Sequence, residues 1–234
     1  LTVENCNLQD KVKISHYAVN SVPATYSVGF IKPGQVFTVE QLLNLTLIYS
    51  ANDAAYALAE YIVNKNNSNH LLDSSNEDKT EFENSITNFS EMMNQKAKEL
   101  GTLDTNFVNP NGIHNEAHYS TAYDLALIGK YAYSNSIITS ICAKASYSLP
   151  ENAVNNFTEY KTTNPLLRSE SKYYYKYATG MKTGYTDPAK SCIIATAKKD
   201  DSHLIAVILG GEKLEDGTST RESDCIKLFD YGFN

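Results

Sequence analysis

Two short runs in this 234-residue chain combine side chains able to do chemistry. The first is Ser50-Ala51-Asn52, a hydroxyl and a carboxamide at a predicted junction between two helices. The second is Lys182-Thr183-Gly184, an ammonium, a hydroxyl and a bare backbone position at the start of a predicted strand, within Gly180-Met181-Lys182-Thr183-Gly184-Tyr185-Thr186. Taken singly, each run is weak. Ser50 and Asn52 are residue types that commonly cap a helix, here one beginning at Asp53, and a lone lysine is usually a solvated charge. A third run, Ser169-Glu170-Ser171-Lys172, has the S-x-x-K spacing. On a helix that spacing brings an amine over a hydroxyl whose proton it can take. Here it follows Asn164-Pro165-Leu166-Leu167-Arg168 and precedes a Tyr-rich stretch, so it reads as a loop between strands and is rejected as a nucleophile.

Metal and cofactor chemistry find no support. Cys6, Cys142, Cys192 and Cys225 are scattered without a C-x-x-C pair, and read as buried free thiols rather than as two bridges. His114 and His118 are four apart but follow the turn Asn109-Pro110-Asn111-Gly112, and there is no H-E-x-x-H. No metal and no organic cofactor are expected.

The elements that must position these residues follow from pattern. Thr38-Val39-Glu40-Gln41 is a capping box, and Leu42, Leu43, Leu45, Thr46 and Leu47 after it predict a central, apolar helix ending around Tyr49-Ser50-Ala51-Asn52. A second helix runs from Asp53 with Ala54, Leu58, Tyr61 and Ile62 on one face. The polar stretch Asn64 to Asn84 reads as an exposed loop. A third helix spans about Glu83 to Leu100 with Ile86, Phe89, Met93, Ala97 and Leu100 inward and Gly101 as its stop. Thr121-Ala122-Tyr123-Asp124 opens a fourth, carrying Leu125, Leu127, Ile128 and Tyr131, and Ile137, Ile138 and Ile141 mark a short fifth.

Strands dominate the end. Ala145 to Leu149 and Asn155 to Thr163 are expected to pair around Pro150. Ser191 to Ala197 and Leu204 to Leu209, joined by Lys198-Lys199-Asp200-Asp201, predict a hairpin. Tyr173-Tyr174-Tyr175 suggests a strand with one buried face. A final helix starts near Thr220 and runs toward Phe233 with Cys225, Leu228 and Phe229 inward. The class is α+β: a helical lobe beside an antiparallel sheet that a C-terminal helix covers. With no repeat and no linker, residues 1–234 read as a single domain.

Composition narrows the partners. Hydrophobic residues are 42% and charged residues 20%, with 20 Lys+Arg against 27 Asp+Glu for a net charge of −7. An acidic chain is a poor nucleic-acid binder, because such affinity rests on phosphate neutralisation. No apolar run approaches the roughly 20 residues that span a bilayer.

S-x-N and K-T-G in this order are two of the three signatures of penicillin-recognising serine enzymes. The chain resembles the catalytic domain of the low-molecular-mass penicillin-binding proteins, the serine-type D-alanyl-D-alanine carboxypeptidases. The resemblance extends through Ile31-Lys32-Pro33-Gly34, Tyr49 to Ala54, Leu100-Gly101 with Thr105-Asn106-Phe107, Asn109 to Ile113, Tyr119 to Ala126, Lys182 to Thr186, Gly210-Gly211 and Phe229 to Phe233. It implies a penicillin-binding-protein or β-lactamase-like fold. It also implies an acyl-enzyme route that removes the terminal D-alanine from peptidoglycan stem peptides, with β-lactams as inhibitors and an extracytoplasmic location.

The resemblance also assigns roles. Ser50 would relay a proton to the leaving amine, Asn52 would hydrogen-bond the substrate backbone, and Lys182 would supply positive charge and hold Ser50 oriented. Thr183 would bind the terminal carboxylate, Gly184 would keep the strand edge clear, and the Tyr185 N–H would be an oxyanion donor. Arg221 would help hold the carboxylate, although it could instead pair with Glu222 or Asp224.

The third signature, the nucleophilic S-x-x-K, is expected upstream of Leu1, because Leu1 to Cys6 resembles the segment just after that helix. The domain is therefore expected to be N-terminally incomplete, with self-association through an exposed strand edge. Two alternatives stand beside the enzyme reading. One is a non-catalytic peptidoglycan-binding module. The other is a class A β-lactamase, whose E-x-x-L-N loop is matched only in letters by Glu40-Gln41-Leu42-Leu43-Asn44, before Ser50 and inside a predicted helix.

Overall fold

The computed structural model describes residues 1–65, 78–150 and 159–234. The chain divides into two compact units. The first comprises residues 1–96, 106–118 and 147–160; the second comprises 97–105, 119–146 and 161–234.

In the first unit, α1 (Thr2–Asn5) and α2 (His16–Asn20) flank β1 (Lys11–Lys13), which pairs antiparallel with β2 (Val36–Thr38). The expected capping box is present. Thr38 Oγ1 accepts from Gln41 N–H, and Gln41 Oε1 accepts from Thr38 N–H, opening α3 (Val39–Asn44). A π-helical turn, Leu45–Tyr49, continues α3 to Ser50. Helix α4 (Asn52–Asn64) is as central to this unit as α3, whose Val39 and Leu42 are fully buried as expected. It is buried almost all round, with Ala54 and Ala59 fully enclosed, instead of showing the single apolar face expected. Its many alanines let neighbours approach from every side.

Helix α5 (Lys79–Glu99) begins earlier than predicted, so residues 79–84 are helical and not loop; residues 66–77 lie outside the described residues. Gly101 does terminate this region, at φ +86°, a conformation open to glycine. Ala59, Ile62 and Phe89 form a core cluster between α4 and α5.

In the second unit, α6 (Ala122–Tyr133) is capped by Thr121, whose hydroxyl accepts from Asp124 N–H, and α7 (Ser136–Cys142) by Asn135. Asp124 and Gly129 are the buried residues of α6, while Tyr131 is exposed, so the predicted apolar face is only partly enclosed. Strands β5 (Ala178–Thr186), β6 (Lys190–Lys199) and β7 (Ser202–Gly211) form an antiparallel sheet in that order. The predicted hairpin is β6–β7; its turn is tighter than expected, at Asp200-Asp201, with Asp200 at φ 53°.

Strand alternation sorts the residues by face. Ile193, Ala195 and Ala197 meet Cys225 and Phe229 of α8 (Thr220–Phe233). Ile194 faces the other way, onto α6, where a Cβ on Gly129 would come within 2.9 Å of it. Leu228 is solvent-exposed, contrary to expectation, because it falls off the stripe that Cys225 and Phe229 define.

The Tyr173–Tyr175 run is a turn and not a strand. Tyr174 N–H bonds back to Ser171 O, while Tyr173 and Tyr175 pack on the α8 core. Their hydroxyls tie to Ser219 N–H and to Asp230. Strands β3 (Ser146–Ser148) and β4 (Glu159–Lys161) pair as expected, though shorter; residues 151–158 of the predicted connection lie outside the described residues.

All four cysteines are free thiols, Cys142 and Cys225 buried and Cys6 and Cys192 half-buried. No helix among the described residues is long and apolar enough to cross a membrane. Ser169 to Lys172 lies in turns after a 3-10 turn at Pro165–Leu167, and Glu40 to Asn44 lies in α3, both as read from the sequence.

Candidate functional site

In the first unit the π-helical turn is closed by Ser50 in the left-handed region, φ 65° and ψ 39°. A non-glycine residue there stores strain that the surroundings must hold. They do so at several points. Ala51 N–H donates to Leu45 O at 3.1 Å. Asn52 donates to Ser27 O twice, from its backbone N–H at 3.0 Å and from Nδ2 at 2.8 Å. Nδ2 also reaches Ser50 O at 3.4 Å.

The helix-capping alternative for Ser50 and Asn52 therefore fails. The N-cap of α4 is Ala51, with no side-chain bond, and Asn52 is already helical. With both Nδ2 protons turned to main-chain carbonyls, the carboxamide oxygen is the group that Asn52 offers a ligand N–H.

Asp53, which sequence reading passed over, anchors this turn. It is fully buried, and Oδ1 accepts from Gly29 N–H at 2.7 Å and Ala54 N–H at 2.9 Å. Burial pushes its carboxyl above the ordinary aspartate range, and the N–H bonds oppose that push. Tyr160 donates its hydroxyl to Gly29 O at 2.7 Å and packs edge-on against Tyr49. Segment 27–31 is thus clipped to the Ser50 turn. The fit at Gly29 is close, since a Cβ would sit 3.3 Å from both Ala51 Cβ and Leu45 Cδ1 and those side chains would have to give way.

The second unit gathers the other five predicted residues. Lys182 to Tyr185 lie in the second half of β5, not at its start. β5 pairs with β6 on one side, and among the described residues no strand pairs with its other edge. The space beside Gly184 is open: a Cβ built on it meets nothing within 4 Å. Lys182 lies opposite Ile194 and shares its face, near Cys142 of α7. Its Nζ donates to Thr183 O at 2.7 Å.

Burial pulls the Lys182 ammonium down to about 8; the Cys142 thiol opposes this and the Arg221 guanidinium adds to it. An amine in that range can hold or release a proton near neutral pH. The same burial pushes the Cys142 thiol up to about 11, which keeps it unreactive.

Thr183 is buried and its hydroxyl lies 2.6 Å from that of Thr163. Tyr185 is exposed, its phenol bonded to Asp187 at 3.0 Å. Arg221 lies within the electrostatic reach of Lys182 but holds Glu222, donating from both Nε and Nη2 to Oε1. The pairing with Glu222 that the sequence left open is thus what the side chain makes. Gly211 supports Arg221 from below, because a Cβ there would meet Arg221 Cβ and Ser191 O at 2.9 Å. Lys182 and Thr183 thus lie on a strand edge that no described strand covers, with the charge of Arg221 matched by Glu222.

Residues 2–213 match the family described as D-alanyl-D-alanine carboxypeptidase. The chain belongs to that family. It is 34% identical over 227 residues to the D-alanyl-D-alanine carboxypeptidase DacF of Bacillus subtilis (strain 168), covering 97% of this chain and 50% of the relative. It is 31% identical over 241 residues to the D-alanyl-D-alanine carboxypeptidase of Streptomyces sp. (strain K15), covering 100% of this chain and 74% of the relative. The crystal structure of the Streptomyces K15 DD-transpeptidase superposes with a TM-score of 0.78 at 32% identity, over 98% of this chain and 80% of that one. The fold is that of the DD-peptidases, as the two motifs implied. The chain spans half the length of the Bacillus relative.

Proposed function

We propose that this chain serves a serine D,D-carboxypeptidase that removes the terminal D-alanine from peptidoglycan stem peptides outside the cytoplasmic membrane. The observation that carries the reading is the open edge of β5, where Lys182, Thr183 and Gly184 combine a low-pKa ammonium, a buried hydroxyl and an unobstructed backbone. An extended D,D-peptide pairs beside β5, and its carboxylate meets the Thr183 hydroxyl in the field of Lys182 and Arg221. The Tyr185 N–H serves the carbonyl oxygen that gains charge during acyl transfer. Ser50, held on its strained turn, passes a proton to the departing amine, and the Asn52 carboxamide oxygen accepts from the peptide backbone. The serine of the family's S-x-x-K signature attacks the carbonyl between the two D-alanines, the terminal D-alanine leaves with the relayed proton, and water then frees the shortened peptide; a β-lactam acylates the same serine by opening its ring amide and is released slowly.

The test uses the whole gene product. It is incubated with a peptide ending in D-Ala-D-Ala while D-alanine is measured, and its intact mass is read after exposure to a penicillin. Release of D-alanine and a one-drug adduct are expected, with Ser50→Ala and Lys182→Ala each slowing release by roughly 10²-fold or more. Binding of the peptide with neither release nor adduct would refute the proposal in favour of a non-catalytic module.

A further inference from the structure

The Thr183 hydroxyl already has a partner: Thr163 Oγ1 at 2.6 Å, with the main-chain oxygen of Thr163 farther away at 3.5 Å. A hydroxyl has one proton to donate and two lone pairs to accept with. The pair can therefore run in either direction. If Thr183 donates to Thr163, its only proton points inward. If Thr163 donates, the Thr183 proton is released toward a ligand. A carboxylate has no proton and can only accept, so it selects the second direction. A hydroxyl that accepts one hydrogen bond is also a stronger donor of the next.

Thr163 is placed to do this because its own backbone is fixed on both sides. Thr162 N–H donates to Ala145 O at 2.8 Å. Asn164 Oδ1 accepts from Leu166 N–H at 3.0 Å, capping the turn at Pro165–Leu167. Leu166 is fully buried in the core beneath the sheet. The Thr163 hydroxyl is thus delivered by a rigid segment.

We propose that Thr163 is a positioning residue that turns the Thr183 proton outward, and so makes the β5 edge prefer a peptide ending in a free carboxylate over one ending in an amide. The inference rests on the proposed function, from which it takes the D-alanyl peptide. Without the Thr163 hydroxyl, the acceptor left to Thr183 is the main-chain oxygen of residue 163, which draws the proton inward and away from the ligand.

The experiment is calorimetric binding of two peptides, one ending in D-Ala-D-Ala and the other in its C-terminal amide, to the whole gene product and to its Thr163→Val, Thr163→Ala and Thr163→Ser variants. Wild type should bind the carboxylate form more tightly. Thr163→Val should lose about 3- to 10-fold for the carboxylate form, the range for one neutral hydrogen bond, with little change for the amide. Thr163→Ser should restore the preference to within about 2-fold. Thr163→Ala removes the same hydroxyl with less bulk and carries the test should the valine not fold.

Wild-type preference retained in Val and Ala would overturn the inference while leaving the proposed function standing. Equal loss for both peptides in all three variants would also overturn it, since that is what a purely structural role predicts. A wild-type chain that binds neither peptide would overturn both.

Discussion

The Lys182 ammonium titrates near 8 in the folded chain against 10.5 for an ordinary lysine, chiefly because it is buried. The sign follows directly. Between those values the unfolded chain binds the proton and the folded chain has lost it, so stability must rise with pH across that window. Below about 8 the folded state carries the full cost of the buried charge, and near 10.5 most of it has gone. That gap corresponds to ~3 kcal/mol. Lys182→Met removes the titrating group and keeps much of its apolar stem. Urea unfolding of wild type and variant, at several pH values from 7 to 10.5, measures the difference. Other lysines, tyrosines and thiols titrate in both proteins and cancel in the comparison. Wild type should gain ~3 kcal/mol relative to the variant over this range. Parallel pH profiles would refute the buried-ammonium account, and with it the picture of Lys182 as a group that exchanges a proton near neutral pH.

Further outcomes follow from neighbouring geometry. Gly211→Ala forces a Cβ against Arg221 and Ser191 O, and should destabilise by ~1–3 kcal/mol, read from the urea midpoint, while weakening peptide binding through displaced Arg221. Cys142 and Cys225, raised by burial to about 11 and about 12, should resist a thiol reagent at pH 8 in the native chain and react on unfolding; rapid native labelling of either would contradict their burial. Asp53 is held above the usual aspartate range, so its ionised form costs stability that is relieved as pH falls through the raised value. Relative to Asp53→Asn, wild type should therefore become more stable between pH 7 and pH 4, and a flat difference would show that the carboxyl titrates normally.

Local signals in the chain were readable because they act over a few residues. The Thr38–Gln41 capping box, the Thr121 cap, the Gly101 stop and the β6–β7 hairpin all stand where pattern placed them. The misplaced features share a different cause. The Tyr173–Tyr175 run has the aromatic composition of a strand, but its burial comes from phenols reaching α8 out of a turn. Leu228 looked inward because a helical wheel cannot show which stripe the sheet will cover. Helix α4 looked amphipathic, yet its central place depends on which elements surround it.

The site divides in the same way. The S-x-N and K-T-G runs are legible in residue order and hold Ser50, Asn52, Lys182, Thr183 and Gly184, since motif spacing survives in one dimension, while only the family resemblance singled out Tyr185 and Arg221. The partners that orient them come from far along the chain: Ser27 and Gly29 beneath Asn52 and Asp53, Tyr160 on Gly29, and Thr163 against Thr183. Hydroxyl, amide and carboxylate groups act over about 3 Å. Whether two of them meet depends on how helices and strands pack, so the chemistry available was written in the sequence, while which groups pair and what each buried charge costs were decided only by the tertiary structure.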